Sequence, residues 1–209
     1  MKTKNKVRLY GAGGHAQIIK FILRDNNNLL DGVYDDNPKL AHKNFLGVRK
    51  GFRLNKNEFS FEDIPFIIAI GNNHIRAEIA HYLKCSFSNA IHSTAVISQN
   101  VLIGEGTVIY AGAIIQPNTC IGKHVIINTA AHIDHDNVIH DFVHISPNAT
   151  LCGLIEVGTG SHIGAGAVII PQIKIGKWCV IGAGSVIIQD VPDHAVVVGN
   201  PGRIIKINS

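Results

Sequence analysis

The chain has 209 residues, of which 46% are apolar and only 16% charged, with a formal charge of +4. That balance supports a sizeable core and excludes an intrinsically disordered chain. Lys and Arg are scattered apart from the opening MKTKNKVR, no apolar run approaches the ~18 residues of a membrane span, and no apolar segment follows the basic start. Neither nucleic acid nor membrane is therefore expected as a partner, and the expected setting is soluble and cytoplasmic.

The stretch VRLYGAGGHAQIIKFILRDN reads as a β-strand, a glycine turn and a helix whose apolar residues are Ile18, Ile19, Ile22 and Leu23. Gly11, Gly13 and Gly14 fall where strand meets helix, where backbone amides can face an anion. LDGVYDDN ends a second strand on Asp35 and Asp36, about twenty residues after the glycines. Acids there can accept hydrogen bonds from a ribose diol or a base N–H. FIIAIGNNHIRAEIAHYL repeats the scheme, with a buried strand, a turn at Gly71 and Asn72, and a helix. Strands alternating with helices predict a small parallel sheet of Rossmann-like topology, with the three loops meeting at its carboxyl edge and His15 and His74 flanking them. The glycine pattern is GxGGH and the sheet is short, so a nucleotide-linked small molecule fits better than a dinucleotide.

KCSFSNA joins this segment to a different grammar, and the expected domains are residues 1–88 and 89–209. From Ile91 the chain divides into seventeen consecutive hexads, each led by Ile, Leu or Val, with Gly frequent at the second place. A period of six fits neither a helix nor a half-buried strand. It fits a β-solenoid in which three hexads close a triangular coil, the leading aliphatics stack inward, and glycine eases the corners. Cys85, Cys120, Cys152 and Cys179 lack any CxxC or short metal spacing and read as reduced, mostly buried thiols.

Stacking of every third hexad sets neighbours. His144 falls beneath His162, Gly153 falls above His135 and leaves a notch beside it, and Ala165 and Ala183 line a small-residue trough. His135 lies between Asp134 and Asp136, either of which can raise its basicity as in the base half of a catalytic triad. His135 and His144 are half a coil apart in sequence, so they lie on different sides of the prism. They can cooperate only if copies pack side by side, as in a threefold assembly with its active sites between subunits.

YGAGGH, DD, AIGNN, NTAAHIDHD, DFVHISPNA, IGAGAVI and VVVGNP together resemble the bacterial sugar acetyltransferases of the sialic acid O-acetyltransferase type, nearest to the UDP-4-amino-sugar N-acetyltransferases. The resemblance implies that the solenoid is a left-handed parallel β-helix and that acetyl-CoA is the co-substrate, with no metal. It also implies His135 as general base, with Asp136 as its supporting acid. His144 and the backbone at Ala165 and Ala183 would line the acetyl-CoA slot, while Gly13, Gly14, His15, Asp35, Asp36 and Gly71 would hold the nucleotide sugar. Asp136 stands where Glu is common in the family, which leaves Asp134 as a substitute, and Gly202 stands where Ala is usual. A GDP-linked amino sugar or a sialic acid hydroxyl are the alternative acceptors. A different class, a zinc hydratase like the γ-type carbonic anhydrases, would use histidines gathered from neighbouring chains.

Overall fold

The computed structural model describes residues 5–37, 50–51 and 64–208, which form two compact units, 1–93 and 94–209. In the first, strands β1 (Lys6–Tyr10), β2 (Leu29–Tyr34), β3 (Lys50–Gly51) and β4 (Phe66–Ile68) make a parallel sheet in the order β3-β2-β1-β4. Helix α1 (Gly14–Asp25) follows β1, and α2 (Asn73–Tyr82) follows β4. The crossovers are the βαβ pattern expected from the alternation of apolar strands with amphipathic segments.

Helix α1 buries Ala16, Ile19, Ile22 and Leu23. Ile18 is not in that set and is 45% exposed, because successive helical residues point in different directions and only one stripe can face the sheet. Helix α2 starts on Asn72, whose side chain accepts the Ile75 amide at 3.1 Å and so satisfies one of the amides that a helix start leaves open.

The second unit is a three-sided, left-handed parallel β-helix of about six turns. Each hexad contributes a short strand, and strands three hexads apart pair in register. One ladder runs through Ile126–Ile127, His144–Ile145 and His162–Ile163. A second runs through Ile114–Ile115, His132–Ile133 and Thr150–Leu151. A third runs through Cys120–Ile121, Val138–Ile139 and Glu156–Val157. The leading aliphatics fill the interior: Ile109, Ile127, Ile145 and Ile163 are all fully buried. Inward polar residues at the fifth place close their hydrogen bonds within the wall, as when Ser161 Oγ donates to the Gly176 carbonyl (2.7 Å) and accepts from the Cys179 amide (2.9 Å).

The corners differ from the expectation that glycine as such makes them. Every sixth residue from Asn100 to Gly184 has a positive φ, whatever its type, including Ala130, Phe142 and Trp178. In these fifteen hexads the left-handed residue is the fourth. The second-place glycines serve close approach instead: a Cβ at Gly158 would lie 2.6 Å from the Gly176 carbonyl carbon of the next coil. The period of six holds through all seventeen hexad leaders and gives way only after Ile187. The last coil is shortened, with Val191 bridging Ile175 and Val197 pairing with Ile181, and it is closed by an antiparallel hairpin of Ala195–Val198 and Arg203–Ile207. Asp190 and Asp193 accept the Lys174 and Lys177 amides (2.8 and 2.7 Å), which accounts for the shortened register.

The cysteines are free thiols, but only Cys179 is buried, and Cys120 is exposed. Cys179 occupies an inward fifth place, whereas Cys120 holds an outward sixth place, where the period of six points the side chain to solvent.

Candidate active site

The carboxyl edge of the N-terminal sheet is assembled as its turns require. The Gly11 amide donates to the Tyr34 carbonyl and the Ala69 amide to the Tyr10 carbonyl, both at 2.6 Å, so the loops after β1, β2 and β4 meet. Gly11 has φ +110°, and a Cβ there would come 2.6 Å from the Ala69 carbonyl oxygen, so the meeting requires glycine. Gly13, Gly14 and Gly71 are exposed, with no atom within 4 Å of where a Cβ would be, which leaves the rim of this edge open.

Both aspartates are already engaged by the protein. Asp35 accepts the Ala12 amide (2.7 Å) and the Asn37 amide (2.8 Å), one on each oxygen, and so ties the glycine turn to the end of β2. Asp36 accepts the Tyr10 hydroxyl on Oδ2 at 2.6 Å. Burial and that carboxylate both push the Tyr10 phenol up, so it remains a donor at any physiological pH.

His15 is deeply placed at the start of α1, and burial, aided by the Arg76 cation, lowers its pKa to about 4; the ring is neutral at pH 7. Arg76, on α2, is itself almost wholly buried. Its guanidinium donates to the carbonyls of Ile70 (3.0 Å) and Gly71 (3.3 Å) and to Asn73 Oδ1 (2.8 Å). Burial lowers it to about 9, which still leaves a cation behind the loop. Sequence reasoning passed over Tyr10 and Arg76, whose roles depend on depth below the sheet edge. His74, at the start of α2, is exposed.

In the β-helix, His135 and Asp136 turn one corner between the His132 and Val138 strands. Asp136 takes the left-handed conformation, with φ 58°, and this brings neighbouring side chains together that a strand would send to opposite faces. The His135 Nδ1 to Asp136 Oδ2 distance is 2.7 Å. Asp134 instead turns back and accepts the backbone amide of His135 (2.8 Å). Of the two acids, Asp136 is therefore the one on the ring.

The corner is pinned from inside, because the Asp134 carbonyl accepts from both Thr119 Oγ1 (2.9 Å) and Asn137 Nδ2 (2.6 Å). The Asp136 hydrogen bond raises the His135 pKa above the ordinary histidine value, and the Asp134 and Asp136 charges act in the same direction. Asp136 is lowered correspondingly, first by His135 and then by Asn118. Asn118, one coil below, donates from Nδ2 to Asp136 Oδ1 at 3.1 Å; the signal for it was the same three-hexad arithmetic, not applied to the fourth place.

The other expected residues lie on a different edge. His144 stacks on His162 with ring centroids 4.7 Å apart and planes within 3°. His144 Nε2 is 3.1 Å from Asn128 Nδ2, and His162 Nε2 is 2.7 Å from Ser146 Oγ. Just beyond His162, Ala165 begins an exposed corner, and the Gly184 amide donates to the Ala165 carbonyl (2.8 Å), placing Ala183 directly above. Ala165 and Ala183 are therefore stacked beside the His144–His162 ladder, while His135 belongs to another corner of the same prism. A groove of about 610 Å³ lined by His140, Glu156, Lys174 and Asp193 lies on the third ladder and does not include His135. No group of three or more His, Cys, Asp or Glu among the described residues is arranged to hold a metal ion. No described helix is long and apolar enough to cross a membrane.

Residues 6–83 match the PglD N-terminal domain and residues 154–189 the bacterial transferase hexapeptide (six repeats). UDP-N-acetylbacillosamine N-acetyltransferase of Bacillus subtilis is 42% identical over 111 residues, which is 49% of this chain and 50% of that protein. The match thus spans about half the length of that curated relative. Similarity to solved structures runs end to end. A histidine-to-alanine variant of GDP-perosamine N-acetyltransferase from Caulobacter crescentus, in complex with CoA and GDP-perosamine, is 32% identical with a TM-score of 0.88, each chain covered to 98%. The acetyltransferase domain of PglB from Neisseria gonorrhoeae, in complex with acetyl coenzyme A, is 34% identical with a TM-score of 0.87, covering 97% of this chain and 100% of that one.

Proposed function

This chain belongs to the hexapeptide-repeat acyltransferases with a PglD-type N-terminal domain, the family of the sugar N-acetyltransferases described above, and from that premise we propose that it transfers acetyl from acetyl-CoA to the 4-amino group of a UDP-linked amino-deoxysugar. The observation that carries the reading is the His135–Asp136 pair, 2.7 Å apart at a solvent-facing corner where Gly153 makes room for the ring, on the coil type that these transferases use.

In this reading the Nδ1 proton of His135 stays on the ring and is donated to the Asp136 carboxylate, and Nε2 acts as the base. It removes a proton from the sugar amine as the nitrogen attacks the thioester carbonyl carbon. The new C–N bond forms, the carbonyl electrons move onto an oxyanion held by a backbone N–H, and the C–S bond then breaks. CoA departs as a thiolate and is protonated by the proton that His135 has taken. The stacked His144, with the exposed backbone at Ala165 and Ala183, offers a slim channel for the pantetheine arm. Gly13, Gly14 and Gly71 offer an open rim to the nucleotide diphosphate, with the Arg76 cation behind it, and His15, Asp35 and Asp36 complete that edge.

His135 and the His144–Ala165–Ala183 edge occupy different edges of one prism, so a complete site takes one edge from each of two copies. A homotrimer closes three such sites. The end-to-end similarity to an enzyme bound to GDP-perosamine favours a GDP-linked amino sugar as the second reading of the acceptor. Release of CoA thiol, measured with acetyl-CoA and a panel of UDP- and GDP-linked 4-amino sugars and free sialic acid, tests all of these. Turnover confined to UDP-linked amines is expected. Turnover with sialic acid alone, or with no member of the panel, would reject the proposal.

A further inference from the structure

We infer that Asn118 is a positioning residue for the base: its side-chain amide, one coil below Asp136, seats the carboxylate so that His135 is held with its proton on Nδ1 and its Nε2 free. The inference rests on the reading of His135 as general base.

Asn118 and Asp136 occupy the fourth place of hexads one coil apart, and both are left-handed, with φ 62° and 58°. Their corners are joined through the backbone, where the Asp136 amide donates to the Pro117 carbonyl at 3.1 Å. The side chains add a second link that divides the carboxylate between two donors: Oδ1 takes the Asn118 amide at 3.1 Å, and Oδ2 takes His135 Nδ1 at 2.7 Å. The seat has to be built from outside because the pair is solvent-facing, with His135 and Asp136 side chains 53% and 41% exposed. At that exposure water competes for both oxygens of the carboxylate. A second donor on the far oxygen restricts rotation about the short aspartate side chain and so keeps the near oxygen in the imidazole plane. The charged groups close to His135 are Asp136, on the ring, and Asp134, which is turned to the backbone amide. Asn118 is thus the neutral member of a file of three, Asn118–Asp136–His135, that ends with the imidazole against Gly153.

Two variants test this. Asn118→Gly removes the amide and keeps the left-handed corner without strain, as Gly106 and Gly112 do at the same place. Asn118→Asp keeps the shape but replaces the donor with a second negative charge. In Asn118→Gly, the His135 titration followed by NMR should fall toward the ordinary histidine value, and the acid limb of kcat/KM should follow it. In that variant kcat should drop on the order of tenfold while the KM for acetyl-CoA stays unchanged. In Asn118→Asp, the added charge should move the titration the other way, upward, while kcat again falls.

A His135 titration unmoved in Asn118→Gly overturns the inference, whether or not activity falls, since a purely structural role would leave the titration in place. Should Asn118→Gly fail to fold, the upward shift in Asn118→Asp carries the test, and its absence overturns the inference. A fully active His135→Ala variant would overturn the reading of the base itself. An inactive His135→Ala beside an unmoved titration would overturn only the role of Asn118.

Discussion

His135 and Gly153 lie one coil apart, and the glycine is what gives the imidazole room to lie against the wall: Gly153 is buried, and a Cβ there would come 2.7 Å from Cε1 and 2.8 Å from Nε2. The nitrogen proposed to take the proton is therefore on the ring edge beside Gly153, while the other faces Asp136. Gly153→Ala should displace the ring. Its kcat should fall by about tenfold to a hundredfold, with acetyl-CoA affinity and the melting temperature nearly unchanged, because the wall of the coil is untouched. Steady-state kinetics beside a thermal melt checks this. Wild-type kcat in that variant would show that the seat of the ring against Gly153 does not serve the base.

Replacing the base itself should be more severe. His135→Ala is expected to reduce turnover by roughly 10²- to 10⁴-fold, the range for a positioned general base, with the dissociation constant for acetyl-CoA retained. Isothermal titration and single-turnover assays separate the two effects.

The pH dependence has a definite sign. Catalysis in this reading requires neutral His135, and Asp136 holds the ring's pKa above the ordinary histidine value. Activity should therefore fall as pH drops through a point above that value. Asp136→Asn removes the charge and the strong acceptor, so the acid limb of kcat/KM should move to lower pH while the plateau drops. An acid limb unaltered in Asp136→Asn would separate the observed pair from the chemistry.

The N-terminal edge should report in KM for the nucleotide sugar. Tyr10 donates to Oδ2 of Asp36 at 2.6 Å, and in the proposed reading Oδ1 meets the nucleotide sugar. Tyr10→Phe frees the carboxylate to rotate. The KM for the nucleotide sugar should rise about fivefold to tenfold, the equivalent of one hydrogen bond of roughly 1 kcal/mol, with the KM for acetyl-CoA unaltered. Parallel rises in both constants would point to a general loss of structure instead.

Much of this site was legible because a period of six leaves little freedom. Once coils of three hexads are accepted, the stack of His144 on His162 and the place of Gly153 above His135 follow by addition, and both are observed. The same arithmetic, applied to the fourth place, would have put Asn118 beneath Asp136. Other features had no such signal. Neither spacing nor composition separates Asp134 from Asp136, since both adjoin His135; a left-handed φ at one of them decides it. The shortened last coil depends on which backbone amides Asp190 and Asp193 capture.

The order of residues alone determined the architecture: alternating strands and helices for a small parallel sheet, then hexads whose leading aliphatics can be buried together only by winding into three walls. Tertiary structure decided the chemistry of individual groups, namely which carboxylate meets the imidazole, that the Tyr10 hydroxyl occupies one oxygen of Asp36, and that Arg76 keeps a cation beneath the 70–73 loop. The physical reason is range. Burial of apolar side chains is non-directional and depends only on their period, so it survives translation into a pattern of letters. A hydrogen bond depends on tenths of an ångström and on backbone torsions that the fold sets one residue at a time.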